Sequence, residues 1–125
     1  RREGARIGLF RTSIDKMFFR YIDPQEAGNT TDVRTASFIG GGSKLNIDAL
    51  SKDSLFELSA YPCLPEDIEQ AVHSHQLPRR DVNVVNVAAK NKGVGGIDSW
   101  GSEPEEAALV KSGKTYNLRF RISGE

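Results

Sequence analysis

Apolar and polar residues alternate along most of this 125-residue chain, and the alternation predicts strands rather than helices. Ile7, Leu9 and Phe10 suggest a short first strand within Arg6–Thr12, although the alternation there is poor. Lys16–Ile22 reads as a second strand: Met17, Phe19 and Tyr21 share one face, and Phe18, Arg20 and Ile22 the other. Apolar groups on both faces suit a strand covered on both sides, and Asp23-Pro24 ends it. Further strands are predicted over Asp32–Ile39, Lys44–Leu50, Ser54–Ala60 and Val82–Ala89. Lys114–Ile122 has the cleanest pattern, with Tyr116, Leu118, Phe120 and Ile122 facing a core. Gly40-Gly41-Gly42-Ser43 is most simply a hairpin loop. One helix is expected over Pro65–His75. Pro65 suits the first turn, Glu66 and Asp67 complement the positive end of its dipole, and Leu64, Ile68, Ala71, Val72 and His75 recur at helical spacing. Pro104–Ala108 reads either as loop or as one turn. Arg1–Ala5 and Ser123–Glu125 are expected to be loose ends. Seven strands and one helix define an all-β fold, a mostly antiparallel β-sandwich formed as one domain over residues 1–125.

Composition narrows the function classes. Lys and Arg number 17 and Asp and Glu 17, so no basic field is available to draw in nucleic acid. No apolar run approaches the length needed to cross a bilayer, so no membrane role is expected. Arg1-Arg2-Glu3-Gly4 carries no signal-peptide pattern, which says little about location for a fragment; cytoplasm and periplasm both stay open. Cys63, the single cysteine, cannot form an internal disulfide and reads as structural.

The charged groups mostly read as solvated surface. Glu66, Asp67 and Glu69 look like a helix N-terminus, and Glu103, Glu105 and Glu106 like a surface run. General acid–base chemistry needs positioned carboxylates of different acidity, and no convincing catalytic pair stands out here. His73 and His75, two residues apart on a helix, would point in different directions, so shared metal ligation is not expected. Polar groups around Gly28-Asn29 suggest a buried network in which Glu26 or Asp32 receives Arg34 or Arg79.

Gly93-Val94-Gly95-Gly96-Ile97-Asp98-Ser99-Trp100-Gly101 is the most informative stretch. Its four glycines permit a tight, irregular loop that carries the only Trp. From composition, Trp100 is either a core or rim residue capping a sandwich, or a platform for the apolar face of a sugar ring. Asp98 and Ser99 would supply orienting polar groups in the second case.

This stretch closely resembles the Gly-[Val/Ile]-Gly-Gly-Asp-Asp-Ser-Trp segment of the large β-galactosidases of glycoside hydrolase family 2. Pro24-Gln25-Glu26-Ala27-Gly28-Asn29 is similar to that family's Pro-Gln-Glu-Asn-Gly-Asn, and Thr31-Asp32-Val33-Arg34 follows it as expected. Ser59-Ala60-Tyr61-Pro62 and His73-Ser74-His75-Gln76-Leu77-Pro78-Arg79-Arg80-Asp81 match two further blocks in the right order, and the match runs from about Gly8 to about Phe120. The resemblance implies the C-terminal portion of the family's last domain, a galactose-mutarotase-like supersandwich. It implies a parent enzyme that hydrolyses terminal β-D-galactosides such as lactose with retention. Both catalytic glutamates belong to a central barrel that nothing here resembles, so this chain would not be catalytic alone. The family's divalent cation and Na⁺ also sit in that barrel, so no cofactor or metal is implied here. A substrate-contacting role falls on Trp100, with Asp98 and Ser99 shaping the loop; Ile97 departs from the family's Asp. The partners implied are the remaining domains of the parent and the galactoside. Cutting a supersandwich leaves sheet edges and a face uncovered, which predicts either a homo-oligomer or a rearranged smaller sandwich. Two alternatives make different predictions. A free-standing carbohydrate-binding sandwich using Trp100 and Tyr61 would bind lactose unaided, and a mutarotase-like epimerase would interconvert anomers.

Overall fold

The computed structural model describes residues 7–18, 28–93 and 100–125. Its elements run α1 (Ile14–Met17), β1 (Thr30–Val33), β2 (Thr35–Gly40), β3 (Ser43–Ala49), β4 (Phe56–Tyr61), α2 (Pro65–Gln70), β5 (Val84–Ala88) and β6 (Phe120–Gly124). Single 3₁₀ turns lie at Ser74–Gln76 and Glu106–Ala108. The strands form two three-stranded sheets, ordered β1–β4–β5 and β2–β3–β6, so the chain is all-β as its pattern predicts. It divides into two compact units: Arg1–Thr31 with Leu58–Val87, and Asp32–Glu57 with Ala88–Glu125.

The first unit is built on the core cluster Phe18, Tyr61, Cys63, Ile68 and Leu77, with Ala71 and Val84 packed against it. The rings of Phe18 and Tyr61 lie 5.9 Å apart at a 43° tilt, a favourable aromatic geometry. Tyr61 is therefore a core residue. Its hydroxyl accepts a hydrogen bond from Asn86 Nδ2 at 3.0 Å, so it does not present a face to sugar. Cys63 is buried, as its structural reading requires. Gly28 is buried at φ +77, beside the end of α1. A side chain there would overlap the Met17 carbonyl oxygen and sit 2.8 Å from its carbon. This close approach is the physical reason for glycine in the Gly28-Asn29 bend.

Three expectations are corrected in this unit. Residues 7–12 form no strand, and Ile7, Leu9 and Phe10 are exposed. Lys16 and Met17 stand in a helical turn, not a strand. Ser13 precedes it as a favoured N-cap type, and the Met17 and Phe18 amides donate to the Ser13 and Ile14 carbonyls. Positions 19–22 of that expected strand lie outside the described residues. The third correction concerns α2, which stops at Gln70 instead of His75. Gln76 Oε1 accepts the backbone N–H groups of Val72 (2.8 Å) and His73 (2.9 Å), satisfying them outside a helix.

The second unit is organised by an antiparallel sheet. The β2–β3 hairpin turns on Gly41 (φ +58) and Gly42 (φ +78), the two left-handed positions of a two-residue hairpin loop. The register sets Ala36 against Ile47 and Phe38 against Leu45, with Ile122 and Phe120 opposite Ile47 and Ala49. One face is thus apolar. On the other, Thr35 Oγ1 donates to Asp48 (2.6 Å) and Ser37 Oγ to Asn46 (2.7 Å). Arg121 and Lys44 lie 3.6 Å from Asp48 and Glu125 respectively. Among the described residues of this unit, Ile47 and Phe56 are the most deeply buried apolar side chains.

The predicted strand Lys114–Ile122 is also corrected. Pairing begins only at Phe120 and continues to Gly124, where a loose end was expected. Glu125 and Lys44 exchange backbone hydrogen bonds of 2.9 Å in both directions, which holds that end in the sheet. The alternation over Thr115–Arg119 survives as exposed and half-buried positions without a ladder, and Ile122 is exposed rather than core.

Candidate functional site

The incoming side of the Trp100 loop leaves β5 through four consecutive tethered residues. Lys90 Nζ donates to the Ala107 carbonyl at 2.6 Å. The Asn91 amide donates to Glu57 Oε2 at 3.0 Å, a carboxylate that is itself buried in β4. Lys92 Nζ lies 2.6 Å from Glu103 Oε2. The Gly93 amide donates to the Ala108 carbonyl at 2.7 Å. The 3₁₀ turn Glu106–Ala108 therefore serves as a dock, held by the same lysine and glycine that begin the loop. Gly93 and Pro104 are buried at the base, whereas Trp100 is 92% exposed.

Trp100 is not a core residue; about 150–250 Å² of aromatic surface is held out in water. Asp98 and Ser99, the other two expected site residues, lie outside the described residues.

The carboxylates elsewhere do different work. Arg80 grips Asp67 in a fork, with Nε 3.0 Å from Oδ2 and Nη2 2.5 Å from Oδ1. Asp67 Oδ2 also accepts the Leu64 amide at 2.8 Å. Arg80 and that amide hold the Asp67 carboxyl below its usual range, and Asp67 in turn raises the Arg80 guanidinium. A general acid at a glycosidic bond needs the opposite shift. Asp67 also lines an open groove of about 340 Å³ with Gln70, Ala71, Val72, Gln76 and Pro78, but its oxygens are committed to Arg80 and Leu64. Arg79 pairs with Asp15 instead of the expected Asp32. Glu26, the other acceptor expected, lies outside the described residues. Asp32 stands at φ 56, a left-handed conformation that Asp tolerates better than most residues.

His73 caps and His75 stands within the 3₁₀ turn Ser74–Gln76, beyond the end of α2, and the two side chains do not diverge. Their rings stack, with centroids 5.5 Å apart and an 18° interplanar angle. Parallel stacked rings do not aim their nitrogens at one point, so shared ligation is disfavoured for a reason other than the expected one. Among the described residues no group of three His, Cys, Asp or Glu could hold a metal.

Sequence reasoning missed Glu57 and Lys92. Glu57 was visible only as a polar residue in an apolar strand, a signal that could have marked a buried acceptor. Lys92 looked like any surface cation.

Comparison with known proteins gives a consistent result. A family model described as β-galactosidase small chain matches residues 1–122. The β-galactosidase of Halalkalibacterium halodurans is 34% identical over 123 residues, covering 98% of this chain and 12% of the relative. That of Streptococcus thermophilus is 37% identical over 120 residues, covering 95% of this chain and 12% of the relative. A β-galactosidase small subunit from Latilactobacillus sakei is 38% identical over 71 residues, covering 57% of this chain and 22% of the relative. The chain thus spans a small part of the length of the relatives it matches. With the family model covering nearly the whole sequence, this chain belongs to the β-galactosidase small-chain family.

Proposed function

We propose that this chain is the C-terminal part of a β-galactosidase that hydrolyses terminal β-D-galactosides such as lactose with retention. It acts with the remaining domains or subunits and is not catalytic alone. Its contribution to the site is Trp100, which stacks on the sugar, with Asp98 and Ser99 shaping the loop around it. The observation that carries this reading is the pairing of a fully displayed indole with a tethered loop base, in a sequence matched end to end by β-galactosidase relatives. Water-exposed aromatic area of this kind gains most when an apolar ligand face covers it.

The test has two arms. The isolated chain should release no chromophore from a chromogenic galactoside, and it should do so when assembled with the rest of the enzyme. In that assembled enzyme, Trp100→Ala should raise KM about ten-fold, the loss of roughly 1.4 kcal/mol of stacking. An unchanged KM would sink the role of Trp100. Retention is checked by NMR of the first anomer released, which should be the β form.

Self-association through an open sheet edge belongs to the same proposal. On the apolar face of β2–β3–β6, Ile47 is buried while Leu45 and Ile122 beside it are 39% and 57% exposed, an incompletely covered surface. Light scattering should report a dimer or larger species; a monomer up to 100 μM would count against it.

A further inference from the structure

We propose that the outer edge of β6 is the self-association surface of this chain, and that its partner is β6 of a second copy, antiparallel across a two-fold axis at Ile122. The inference rests on the self-association proposed above and names the edge, the partner and the register. In the sheet β2–β3–β6, β3 is the one neighbour of β6 among the described residues, and Arg121 to Gly124 are all exposed. Residues of an antiparallel strand turn their N–H and C=O groups to alternate sides. Glu125 exchanges bonds of 2.9 Å with Lys44 in both directions, and the Leu50 amide donates to the Arg119 carbonyl at 3.3 Å. Arg119, Arg121, Ser123 and Glu125 therefore turn their backbone groups toward β3, and Phe120, Ile122 and Gly124 turn theirs outward.

A two-fold axis at Ile122 sets Ile122 against itself and Phe120 against the second copy's Gly124, so every one of those outward groups is paired. Moving the axis to Arg121 or Ser123 leaves Gly124 or Phe120 without a partner in β6, and an axis at Arg121 also sets like charges face to face. The side chains agree with the backbone. Phe120, Ile122 and Gly124 share the apolar face, so the two apolar faces join in one sheet and Ile122, 57% exposed, meets its copy. On the polar face the same register sets Arg119 across from the second copy's Glu125, twice by symmetry. Both side chains are exposed, and Glu125 is held only loosely, 3.6 Å from Lys44. Arg121 falls across from Ser123 and keeps Asp48 at 3.6 Å. The other edge strand, β2, carries no charged side chain over Thr35–Gly40 and offers no such match.

Analytical ultracentrifugation of the 125-residue chain should show a dimer. Arg119→Glu and Glu125→Arg should each weaken it about ten-fold, because each turns two facing pairs of opposite charge into pairs of like charge. An equimolar mixture of the two variants should regain the wild-type affinity, since opposite charges face each other at both positions of the mixed dimer. No effect of either substitution within its own chain produces that rescue. Ile122→Lys should abolish the dimer, whereas Ile39→Lys, on the polar face of β2, should leave it in place. Both side chains are exposed, so both variants should keep the wild-type circular dichroism spectrum. A dimer that withstands Ile122→Lys, or a mixture that fails to recover, would overturn β6 as the edge and leave self-association standing. A monomeric wild type would overturn both.

Discussion

Gly28→Ala should be among the most damaging small substitutions in this chain, and Gly113→Ala provides its control. The two glycines have nearly the same backbone, at φ +77 and φ +78. An alanine at either position pays for a left-handed φ, about 1–2 kcal/mol, and recovers about 0.4–1 kcal/mol from a less mobile unfolded chain. Those terms cancel in the comparison. What differs is space: nothing lies within 4 Å of a side chain added at Gly113, whereas at Gly28 it would overlap the Met17 carbonyl. Relief requires that carbonyl to retreat by roughly 1 Å. Met17 ends α1, and its neighbour Phe18 belongs to the core against Tyr61, so the retreat pulls on a packed ring. Backbone displacement of this kind costs about 1–3 kcal/mol, and partial unpacking of Phe18 adds about 1 kcal/mol. Gly28→Ala should thus fall about 2–4 kcal/mol below Gly113→Ala. With a urea m-value of about 1.5 kcal/mol/M, the two midpoints should differ by roughly 1.5–2.5 M. Midpoints within about 0.3 M would refute the reasoning, because the same φ would then account for both losses.

The remaining predictions concern other parts of the fold. Asp67 has its carboxyl lowered by Arg80 and the Leu64 amide, so its contribution is present above the unfolded value near 4 and is lost as pH falls through the folded one. Urea midpoints from pH 7 to pH 2 should show Asp67→Asn less stable at pH 7, with the gap to wild type closing in acid; a gap independent of pH would contradict the assignment. Asp32→Val should cost about 1–2 kcal/mol, since a β-branched residue at φ 56 is strained, while Asp32→Asn should be near neutral by the same titration. Phe56 is fully buried, so Phe56→Ala should lose about 3–5 kcal/mol, seen as a thermal midpoint lower by more than 10 °C.

The hairpin, the central strand β4 and the all-β class were legible because they rest on local signals. Gly41-Gly42 determines a turn by itself, and Phe56, Leu58 and Ala60 alternate cleanly. Lys114–Ile122 alternates just as well, yet only Phe120 onward pairs, since a strand needs a neighbour that its own sequence does not reveal. Likewise the early stop of α2 depends on where the Gln76 amide points. At the site, the Trp100 loop stood out through its glycines and lone indole. The tethers did not, because Lys90 to Ala107 and Asn91 to Glu57 span distances in sequence that no spacing rule links.

The polar face of β2–β3–β6 bears on the order of folding. A slip of one residue in the hairpin would turn Asp48 toward the apolar side and Ile47 toward water, and would break the Thr35–Asp48 and Ser37–Asn46 bonds together. The register is therefore settled by contacts close in sequence, within the microseconds a hairpin takes to close. Strand β6 arrives from about seventy residues downstream and must follow later. Until it does, the outer edge of β3 is open to any other chain being made. Lys44 and Asp48 lie along that edge, and their charges guard it against mispairing during the interval before β6 docks.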